Sequence, residues 1–332
     1  MPLTLYYEAD ADLSHLRTKT VAVLGYGNQG RAHALNLRDA GCRVIVAQRP
    51  SGPGHDAAVR EGFEPIRLEQ AAAGADLLIF ALPDEVMGDV YASAVAQQLR
   101  AGQTLGFIHG FAIRFGLIVP PPDVDVIMVA PKGPGALVRQ ACERGGGLAC
   151  LVAVQQDASG EALRTALAWG AGIGGGRGGM IETTFAAECE SDLFGEQTVL
   201  CGGVIELMKA AFDVLVSAGY PEELAYFECI HEVKQIVDLQ YAAGIAAMRK
   251  RISATAAYGG LLAGQRIVTD EVRREMRTIL DEIRSGRFAQ RWIEENRAGK
   301  PEFKKLLAEE AAHRSEEAGR RVRDITSRAK TT

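Results

Sequence analysis

Two pairs of carboxylate residues stand four positions apart in the C-terminal half of the sequence. Asp192 and Glu196 form the first pair, with Glu188 one helical turn before it, and Glu228 and Glu232 form the second. Residues at i and i+4 share a helix face, and like charges there repel, so a helix gains no stability from these pairs. Carboxylate oxygens suit hard cations, so the pairs predict a site for Mg²⁺ or Mn²⁺ rather than zinc. A solvated acidic face is the alternative.

A lysine and a histidine each follow a predicted strand in the N-terminal half. Lys132 lies in the segment 130–135, just beyond one apolar run, and His109 follows another. Open α/β sheets bind their ligands beyond the carboxyl ends of the strands. Both side chains are therefore candidates to face a substrate, and an exposed loop residue is the alternative for each.

A glycine-rich motif follows the first long apolar run and precedes a helical pattern. Its residues are Gly25, Tyr26, Gly27, Asn28, Gln29 and Gly30. In this context the GxGxxG spacing predicts a dinucleotide-binding loop. The first glycine permits a tight turn, the second lets the backbone approach a pyrophosphate, and the third allows close packing. The N-terminus of the following helix then faces the anion with unpaired N–H groups. A tight turn without a ligand is the alternative.

The end of the second predicted strand indicates which dinucleotide binds. NAD-preferring sites usually have an acidic residue there to hold the ribose hydroxyls, whereas this chain has Arg49, followed by Ser51 and His55. A guanidinium matches a 2′-phosphate. NADPH is therefore the predicted cofactor, although Asp56 argues for NAD, and a solvated cation is the alternative for Arg49.

These residues belong to two halves with different patterns. Up to about residue 153, short runs rich in Val, Ile and Leu alternate with helical segments, which predicts a Rossmann-type α/β domain with a mostly parallel sheet. The runs are Thr20–Leu24, Arg43–Ala47, 76–82, 103–107, 126–129 and 148–154. Residues 170–179 are glycine-rich and are predicted to connect the halves.

From about residue 182 the pattern becomes helical. A 3.6-residue periodicity predicts long helices at 184–218, 222–248 and 268–298, and the charged tail 301–330 predicts a solvated helix that closes the domain. We therefore predict two domains. Residues 1–182 form the dinucleotide-binding domain, and residues 183–329 form an all-helical domain.

Composition argues against several classes of protein. The 332 residues carry a formal net charge of −5, which argues against binding nucleic acid by neutralising phosphates. No run of ~18 apolar residues predicts a membrane span, and the first residues do not resemble a signal peptide. The six cysteines are scattered, without CxxC pairs or histidines at zinc spacing. We therefore expect free thiols and a cytoplasmic protein.

Several motifs, in order along the chain, carry a resemblance to one family. They are GYGNQG at 25–30, HGF at 109–111, APKGPG at 130–135, GIGGGRGGMIETTF at 172–185, ECESDLFGEQ at 188–197 and YFECIHEVKQIVDL at 226–239. Together they resemble ketol-acid reductoisomerase of the short-chain class over nearly the whole chain. DLFGEQ and ECIHE, following APKGPG, are the most specific.

The resemblance implies a Rossmann domain followed by an all-helical, knotted domain. It also implies a homodimer in which the helical domains intertwine and the active sites are shared, with a higher oligomer left open. Asp192 and Glu196 would bind two Mg²⁺ ions, and Glu228 and Glu232 would be contributed to the same site by the partner subunit.

The implied reaction has two steps. A 2-hydroxy-3-keto acid, 2-acetolactate or 2-aceto-2-hydroxybutyrate, loses its hydroxyl proton while an alkyl group migrates. NADPH then reduces the product to a 2,3-dihydroxy acid of branched-chain amino-acid biosynthesis. Lys132 and His109 match the family's active-site lysine and histidine, and Glu232 or a metal-bound water near Lys132 moves the protons. Ser253 matches the substrate-contacting serine, and Gly135 belongs with the cofactor-binding residues.

Five residues near the expected substrate site depart from the family pattern. Where the family usually has Ser, Asn, Glu, Asn, and His or Thr, this chain has Arg251, Ala254, Ala257, Ala112 and Ala136, respectively. Besides the standard activity, two interpretations stay open: a relative in specialised metabolism that reduces a different keto acid or imine, and a metal-free dehydrogenase of similar plan. A nucleotide sensor without catalysis would have no reason to keep Lys132 and both carboxylate pairs.

Overall fold

The structure is a computed structural model that describes residues 3–328. The described residues form two compact units, one up to Ser191 and one from Asp192 onward. The predicted domain boundary after residue 182 precedes the helix in which this division falls. The predicted end of the second domain, residue 329, lies outside the described residues.

The first unit is built on one eight-stranded sheet. Its strands are β1 (Leu5–Tyr6), β2 (Thr20–Leu24), β3 (Arg43–Ala47), β4 (Leu77–Phe80), β5 (Thr104–Phe107), β6 (Asp125–Pro131), β7 (Cys150–Gln156) and β8 (Met180–Glu182). They lie in the order β1-β8-β7-β6-β5-β4-β2-β3. β1 with β8 and β6 with β7 pair antiparallel, and the other neighbours pair parallel. The predicted mostly parallel sheet is confirmed.

Helices lie between these strands, and a last helix follows β8. They are α1 (Ser14–Arg17), α2 (Asn28–Asp39), α3 (Pro53–Arg60), α4 (Leu68–Gly74), α5 (Asp84–Val90), α6 (Phe111–Arg114), α7 (Gly135–Glu143), α8 (Ala162–Gly172), α9 (Gly175–Gly178) and α10 (Phe185–Gly195). Two hydrophobic clusters lie on this sheet among the residues that the structure describes. Val21 and Val23 of β2 belong to one cluster, and Ala22 and Leu24 belong to the other. Since side chains alternate along a strand, the sheet is covered on both faces, which explains why β2 is apolar from Val21 to Leu24.

The strand order creates a topological switch point beside β2. β2 lies between β3 and β4 and is parallel to both, with Val23 opposite Val46 on one side and Ile79 on the other. The chain therefore leaves β2 toward one side of the sheet and returns on the other. Ligands of open α/β sheets bind at such a switch point, beyond the carboxyl ends of the strands.

The glycine-rich segment 170–179 differs from the prediction, because it lies within the first unit. Its residues end α8, form α9 and lead into β8. A Cβ atom added at Gly170 would lie 2.4 Å from the Met180 sulfur, and one added at Gly178 would lie 2.4 Å from the Leu148 backbone. The glycines therefore allow close packing, which composition alone does not distinguish from a linker.

The second unit is helical. Its helices are α11 (Gly203–Ser217), α12 (Glu222–Tyr226), α13 (Val233–Ala243), α14 (Ile245–Arg251), α15 (Ala254–Ile267), α16 (Asp270–Arg284), α17 (Arg287–Arg297), α18 (Pro301–Ala311) and α19 (Arg314–Arg328). π-Helical turns occur at Glu196–Leu200 and Phe227–His231. The charged tail forms two helices, and Ala318 and Val322 of the second are buried. Residues 329 and 330 of the predicted tail helix lie outside the described residues.

Two predicted features of the chain can be compared directly with the structure. All six cysteines are free, as expected, and Cys42, Cys150 and Cys189 are buried. Within residues 3–328, no helix combines the length and the apolar character needed to cross a membrane.

Candidate active site

A cavity of about 810 Å³ opens beyond the carboxyl ends of four strands in the first unit. The residues that follow β2, β3, β4 and β5 line it, including Gly27, Arg49, Leu82 and His109. The cavity lies at the switch point beside β2, where the strand order places a ligand site. Its position and size suit a dinucleotide end and a small substrate.

The glycine-rich loop between β2 and α2 borders this cavity. Gly25 has φ +98°, and a Cβ there would lie 2.7 Å from the Ala81 carbonyl oxygen. A Cβ at Gly30 would lie 2.2 Å from the Gly25 carbonyl oxygen, whereas one at Gly27 would meet no protein atom within 4 Å. The first and last glycines therefore permit the turn, and the middle one leaves open the side on which a pyrophosphate would approach.

Tyr26 anchors this loop to the protein. It lines the cavity, but its side chain is buried and its ring packs edge-on against Phe63 at 5.7 Å between centroids. The Tyr26 hydroxyl donates to Glu61 Oε2 at 2.6 Å, and Arg31 Nε donates to Glu61 Oε1 at 2.8 Å. Glu61 thus contacts the loop on one side and the first turns of α2 on the other, which fixes the shape of the loop.

The other predicted cofactor residues divide into two groups. Asn28, Gln29 and Arg49 line the cavity. Among the residues described, the cavity lining does not include Gly30, Ser51 or Gly135. Gly135 instead supports the loop, since a Cβ there would lie 2.1 Å from the Asn28 carbonyl oxygen.

A buried carboxylate gathers the predicted catalytic residues of the first unit. Glu188 is 1% exposed, and its Oε1 accepts from Lys132 Nζ at 2.9 Å. Its Oε2 accepts from the Gly110 backbone N–H at 2.9 Å and lies 3.0 Å from His109 Nδ1. Lys132 reaches it from the end of β6, and His109 from the end of β5. The helix α10 therefore brings together two residues that are 23 positions apart in the chain.

The charges in this cluster stabilise one another. Burial alone raises the pKa of Glu188, but hydrogen bonding to His109 and the charges of His109 and Lys132 outweigh burial and lower this pKa. Burial alone lowers the pKa of His109, but its contacts with Cys189 and Glu188 and the negative charge of Asp84 reverse this and raise it. Glu188 is therefore a carboxylate at neutral pH, and His109 favours its protonated form.

The four predicted metal ligands lie in two helical stretches, which α11 and α12 separate along the chain. Asp192 is half-buried in α10, and Glu196 is the exposed first residue of a π-helical turn. Glu228 lies inside the π-helical turn Phe227–His231, and Glu232 follows that turn at the start of α13, both exposed. π-Helical turns are rare and occur frequently at functional sites.

Ser253, the predicted substrate contact, begins α15. It is exposed, and its Oγ accepts from the Ala256 backbone N–H at 3.1 Å. A serine hydroxyl that caps a helix in this way still has its own proton to donate. Of the residues that depart from the family pattern, Arg251 and Ala254 are exposed beside Ser253. Ala112, in contrast, is fully buried in a hydrophobic cluster. The alanine in place of the family's usual Asn therefore lies in the hydrophobic core.

Sequence reasoning did not assign a role to Glu188 or Glu61. The acidic run 188–196 marks Glu188 only as one turn before Asp192. Its full burial and its three partners depend on the packing of α10 against the ends of β5 and β6. Glu61 has no local signal, because its partners Tyr26 and Arg31 lie 35 and 30 positions away.

Two protein-family models match successive parts of the chain. Residues 15–179 match the acetohydroxy acid isomeroreductase NADPH-binding domain. Residues 185–328 match the ketol-acid reductoisomerase C-terminal domain. The two matches cover most of the chain.

Solved structures show the same relationship. An NADH-preferring ketol-acid reductoisomerase from an uncultured archean is 44% identical, with a TM-score of 0.94 over 97% of this chain and 99% of that one. A semialdehyde dehydrogenase NAD-binding protein from Cupriavidus necator is 22% identical, with a TM-score of 0.63 over 80% and 99% of the two chains. A pyrroline carboxylate reductase from Plasmodium falciparum is 14% identical, with a TM-score of 0.51 over 81% and 98%. The last two share only the fold. The domain matches and the 44% identical structure show that the chain belongs to the ketol-acid reductoisomerase family, and it is an NAD(P)-dependent oxidoreductase and isomerase.

Proposed function

We propose that this enzyme converts 2-acetolactate or 2-aceto-2-hydroxybutyrate to the 2,3-dihydroxy acid, with Mg²⁺ and NADPH. The observation that carries the proposal is the buried Glu188, which holds Lys132 and His109 beside a dinucleotide cavity. A simple binding protein would not need three ionisable groups held together at this point. All six cysteines are free, which fits the reducing cytoplasm where we propose that it acts.

Asp192, Glu196, Glu228 and Glu232 are the residues that we propose to hold two Mg²⁺ ions. They supply only carboxylate oxygens, which are the preferred ligands of a hard cation. Glu196 and Glu228 each lie in a π-helical turn, a feature frequent at functional sites. When bound, the ions supply Lewis-acid stabilisation of negative charge on the substrate oxygens.

Lys132 is the residue that we propose to hold a proton beside the substrate. An ammonium group has three N–H donors, so Lys132 can donate to Glu188 and to a substrate oxygen at the same time. Glu188 keeps Lys132 charged and oriented, and its contacts with Gly110 and His109 hold it in place. Lys132 thereby stabilises the oxygen on which negative charge develops.

The proton balance of the reaction assigns a role to Glu232. In the first step the O–H bond of the tertiary hydroxyl breaks, and we propose that the Glu232 carboxylate takes the proton. The alkyl group leaves that carbon, with its bonding electrons, for the neighbouring carbonyl carbon, whose oxygen takes the proton back from Glu232 and becomes the new hydroxyl. In the second step hydride from the nicotinamide reaches the new ketone, whose oxygen takes a proton from Lys132, which solvent then reprotonates. Ser253 is proposed to donate a hydrogen bond from its hydroxyl to a substrate oxygen.

The magnesium site can be tested without turnover. Titration calorimetry should show Mg²⁺ binding to the wild type, and Asp192→Asn should weaken it at least tenfold, because one anionic ligand is lost. NADPH affinity should stay unchanged in this variant. Asp213→Asn, another acid of the helical unit, serves as control. Equal Mg²⁺ affinity in wild type and Asp192→Asn would contradict the assignment.

Arg49 is the residue that we propose to bind the 2′-phosphate of NADPH. It is exposed, follows β3 and lines the cavity. The archaeal relative prefers NADH, so the family can use a cofactor without this phosphate. Arg49→Ala should raise the KM for NADPH roughly ten- to hundredfold, since a charge-assisted contact contributes about 1.5–3 kcal/mol. The KM for NADH should change little, and equal changes for both cofactors would contradict the proposal.

A second copy of the chain is the partner that we propose for the helical unit. α15 has no buried residue. Large apolar side chains also remain exposed from α13 to α15, among them Val237, Tyr241, Ile245, Tyr258, Leu261, Leu262 and Ile267. Contiguous exposed apolar surface marks an interaction site. In sedimentation, the wild type should be a homodimer and Leu261→Glu a monomer, whereas Val119→Glu in the first unit should stay a dimer. A monomeric wild type would contradict the proposal.

A different keto acid or imine is the second candidate substrate. The observation that favours it is Arg251, an exposed cation close to Ser253 and Ala254, where the family pattern has small polar residues. An added guanidinium changes the charge that a substrate would meet. Turnover with a panel of keto acids distinguishes this candidate from the first.

A further inference from the structure

Two loops of the first unit touch each other at the edge of the cavity. One is the glycine-rich loop that begins α2, and the other is the segment 131–135 between β6 and α7. A Cβ at Gly135 would lie 2.1 Å from the Asn28 carbonyl oxygen and 2.8 Å from the Gln29 backbone nitrogen. The two backbones are therefore in direct contact, with no side chain between them at Gly135.

One side chain also links these loops. Gln29 Nε2 donates to the Gly133 carbonyl oxygen at 2.9 Å, across 104 positions of sequence. Because a carbonyl oxygen only accepts, this contact fixes which end of the amide faces Gly133. Gln29 therefore connects the loop that follows β2 to the loop that follows β6.

The oxygen of the Gln29 amide lowers the stability of the folded protein. This atom, Oε1, is buried and has no hydrogen-bond partner. A buried acceptor without a partner destabilises the folded protein, and such an exception in a native structure calls for an explanation. Methionine would fill the same space without this penalty. The explanation that fits is that the N–H donor toward Gly133 matters to function.

The linked segment carries Lys132. The Lys132 backbone N–H donates to the Ala149 carbonyl oxygen at 2.9 Å, and the Gly133 N–H donates to the Pro131 carbonyl oxygen at 3.0 Å. At the other end of the same residue, Lys132 Nζ meets Glu188. A shift of the Gly133 carbonyl therefore moves the backbone on which the Lys132 ammonium depends.

We propose that Gln29 is a positioning residue that couples nicotinamide-dinucleotide binding in the cavity to the placement of Lys132. It acts through the Gly133 carbonyl, and the cofactor holds the loop from which Gln29 projects. The inference rests on the proposed cofactor binding and extends it, because it links cofactor occupancy to Lys132.

Hydrogen exchange with and without saturating NADPH tests this link. In the wild type, NADPH should slow exchange at the Lys132 and Gly133 amides. In Gln29→Met, NADPH should still bind, but the added protection at these two amides should fall roughly three- to tenfold, the effect of one ordinary hydrogen bond. The turnover number should fall by a similar factor, while the KM for NADPH changes less than twofold.

Gln156→Met is the matched control. Gln156 is also half-buried, and its amide donates to the Pro121 carbonyl oxygen at 2.8 Å. Gln156 pairs with Val126 near the start of β6, whereas Lys132 follows the opposite end of that strand. This variant should be less stable but should keep the full NADPH-dependent protection at Lys132 and Gly133. If Gln29→Met does not fold, Gln29→Glu, which keeps the size but replaces the donor by an acceptor, takes its place.

Three results would overturn the link. They are no NADPH-dependent protection in the wild type, full protection with normal turnover in the Gln29 variant, and loss of NADPH binding itself in that variant. The last would make Gln29 a cofactor ligand. If the wild type does not turn over acetolactate but the Gln29 variant still loses protection, the proposed substrate is wrong and the link stands.

Discussion

Replacing Glu188 by glutamine keeps the size of the side chain but removes its charge. The amide oxygen can still accept from Gly110, but Lys132 and His109 lose their counter-ion. Turnover should fall roughly ten- to hundredfold, since charge-assisted hydrogen bonds contribute about 1.5–3 kcal/mol each. NADPH affinity should change little. Steady-state kinetics and a cofactor titration measure both effects.

The control for this variant is Glu182→Gln. Glu182 accepts a hydrogen bond from Tyr6 at the surface of the same unit and has no contact with Lys132. It should keep full turnover. Normal activity in Glu188→Gln would show that turnover does not depend on the contact between this carboxylate and Lys132. It would contradict the argument for the proposed function, which rests on that contact.

Glu61 should affect cofactor binding rather than chemistry. Glu61→Gln weakens the contacts with Tyr26 and Arg31 that hold the glycine-rich loop. We expect the KM for NADPH to rise about three- to tenfold at unchanged turnover number. This factor corresponds to the contribution of one or two ordinary hydrogen bonds. Glu69→Gln breaks another surface contact with an arginine, outside the loop, and should leave the KM unchanged.

The contact between Arg31 and Glu61 also makes the stability of the protein depend on pH. The hydrogen bonds from Arg31 lower the pKa of Glu61, against a smaller opposing effect of burial. The pKa of Glu61 is therefore lower in the folded protein than in the unfolded protein, where it is about 4.3. The stabilisation by ionised Glu61 is fully present above the unfolded-state pKa and is lost as the pH falls through the folded-state pKa. Between pH 6 and about pH 3, the melting temperature should therefore fall more steeply in the wild type than in Glu61→Gln. Parallel curves would show that the contact does not contribute.

At the scale of elements, the contact between α2 and α7 predicts a steric effect. Gly135→Ala places a Cβ 2.1 Å from the Asn28 carbonyl oxygen, and neither backbone can move freely. Overpacking of this kind destabilises by about 1–3 kcal/mol, and here it should also weaken NADPH binding. Gly74→Ala is the control, since a Cβ there meets no atom within 4 Å. Unchanged stability and affinity in Gly135→Ala would contradict the close packing.

Strands with a long apolar run were predictable from sequence, and the short strands at one end of the sheet were not. β2 and β3 have the predicted bounds, because buried parallel strands need continuous apolar residues. β1 and β8 contain only two and three residues and pair with each other at one end of the sheet. So short a segment has no periodicity to detect. The π-helical turns were also not predicted, because 3.6-residue periodicity does not reveal one extra residue in a turn.

The residues of the site were predictable by type, but their contacts were not. GxGxxG, Lys132 and His109 were found because each follows a predicted strand, and strand ends meet at one edge of the sheet. The link through Glu188 depends on how α10 packs against two of those strand ends. The packing is close at Gly110, where a Cβ would lie 2.4 Å from the Phe185 carbonyl oxygen. A single sequence carries no direct signal for such a contact.

At the scale of the whole molecule, the proposed dimer predicts complementation. If Asp192 and Glu196 of one chain share a site with Glu228 and Glu232 of the other, no single chain holds a complete site. Asp192→Asn and Glu228→Gln should each be inactive. In the isolated heterodimer, one site combines both changes and the other has neither, so activity should approach half that of the wild type. A heterodimer as inactive as its parents would mean that each site is built within one chain.

The most direct test of the proposed reaction is cofactor oxidation with two substrates. Purified wild-type protein is given NADPH with either 2-acetolactate or 3-hydroxy-3-methyl-2-oxobutanoate, the product of the alkyl migration, with and without Mg²⁺. We predict that NADPH is oxidised with both substrates when Mg²⁺ is present. With 2-acetolactate, we predict no oxidation when Mg²⁺ is absent. Oxidation with the rearranged keto acid alone would show that the isomerase step is missing. Oxidation with neither, in the presence of Mg²⁺, would contradict the proposed substrate and favour a different keto acid or imine.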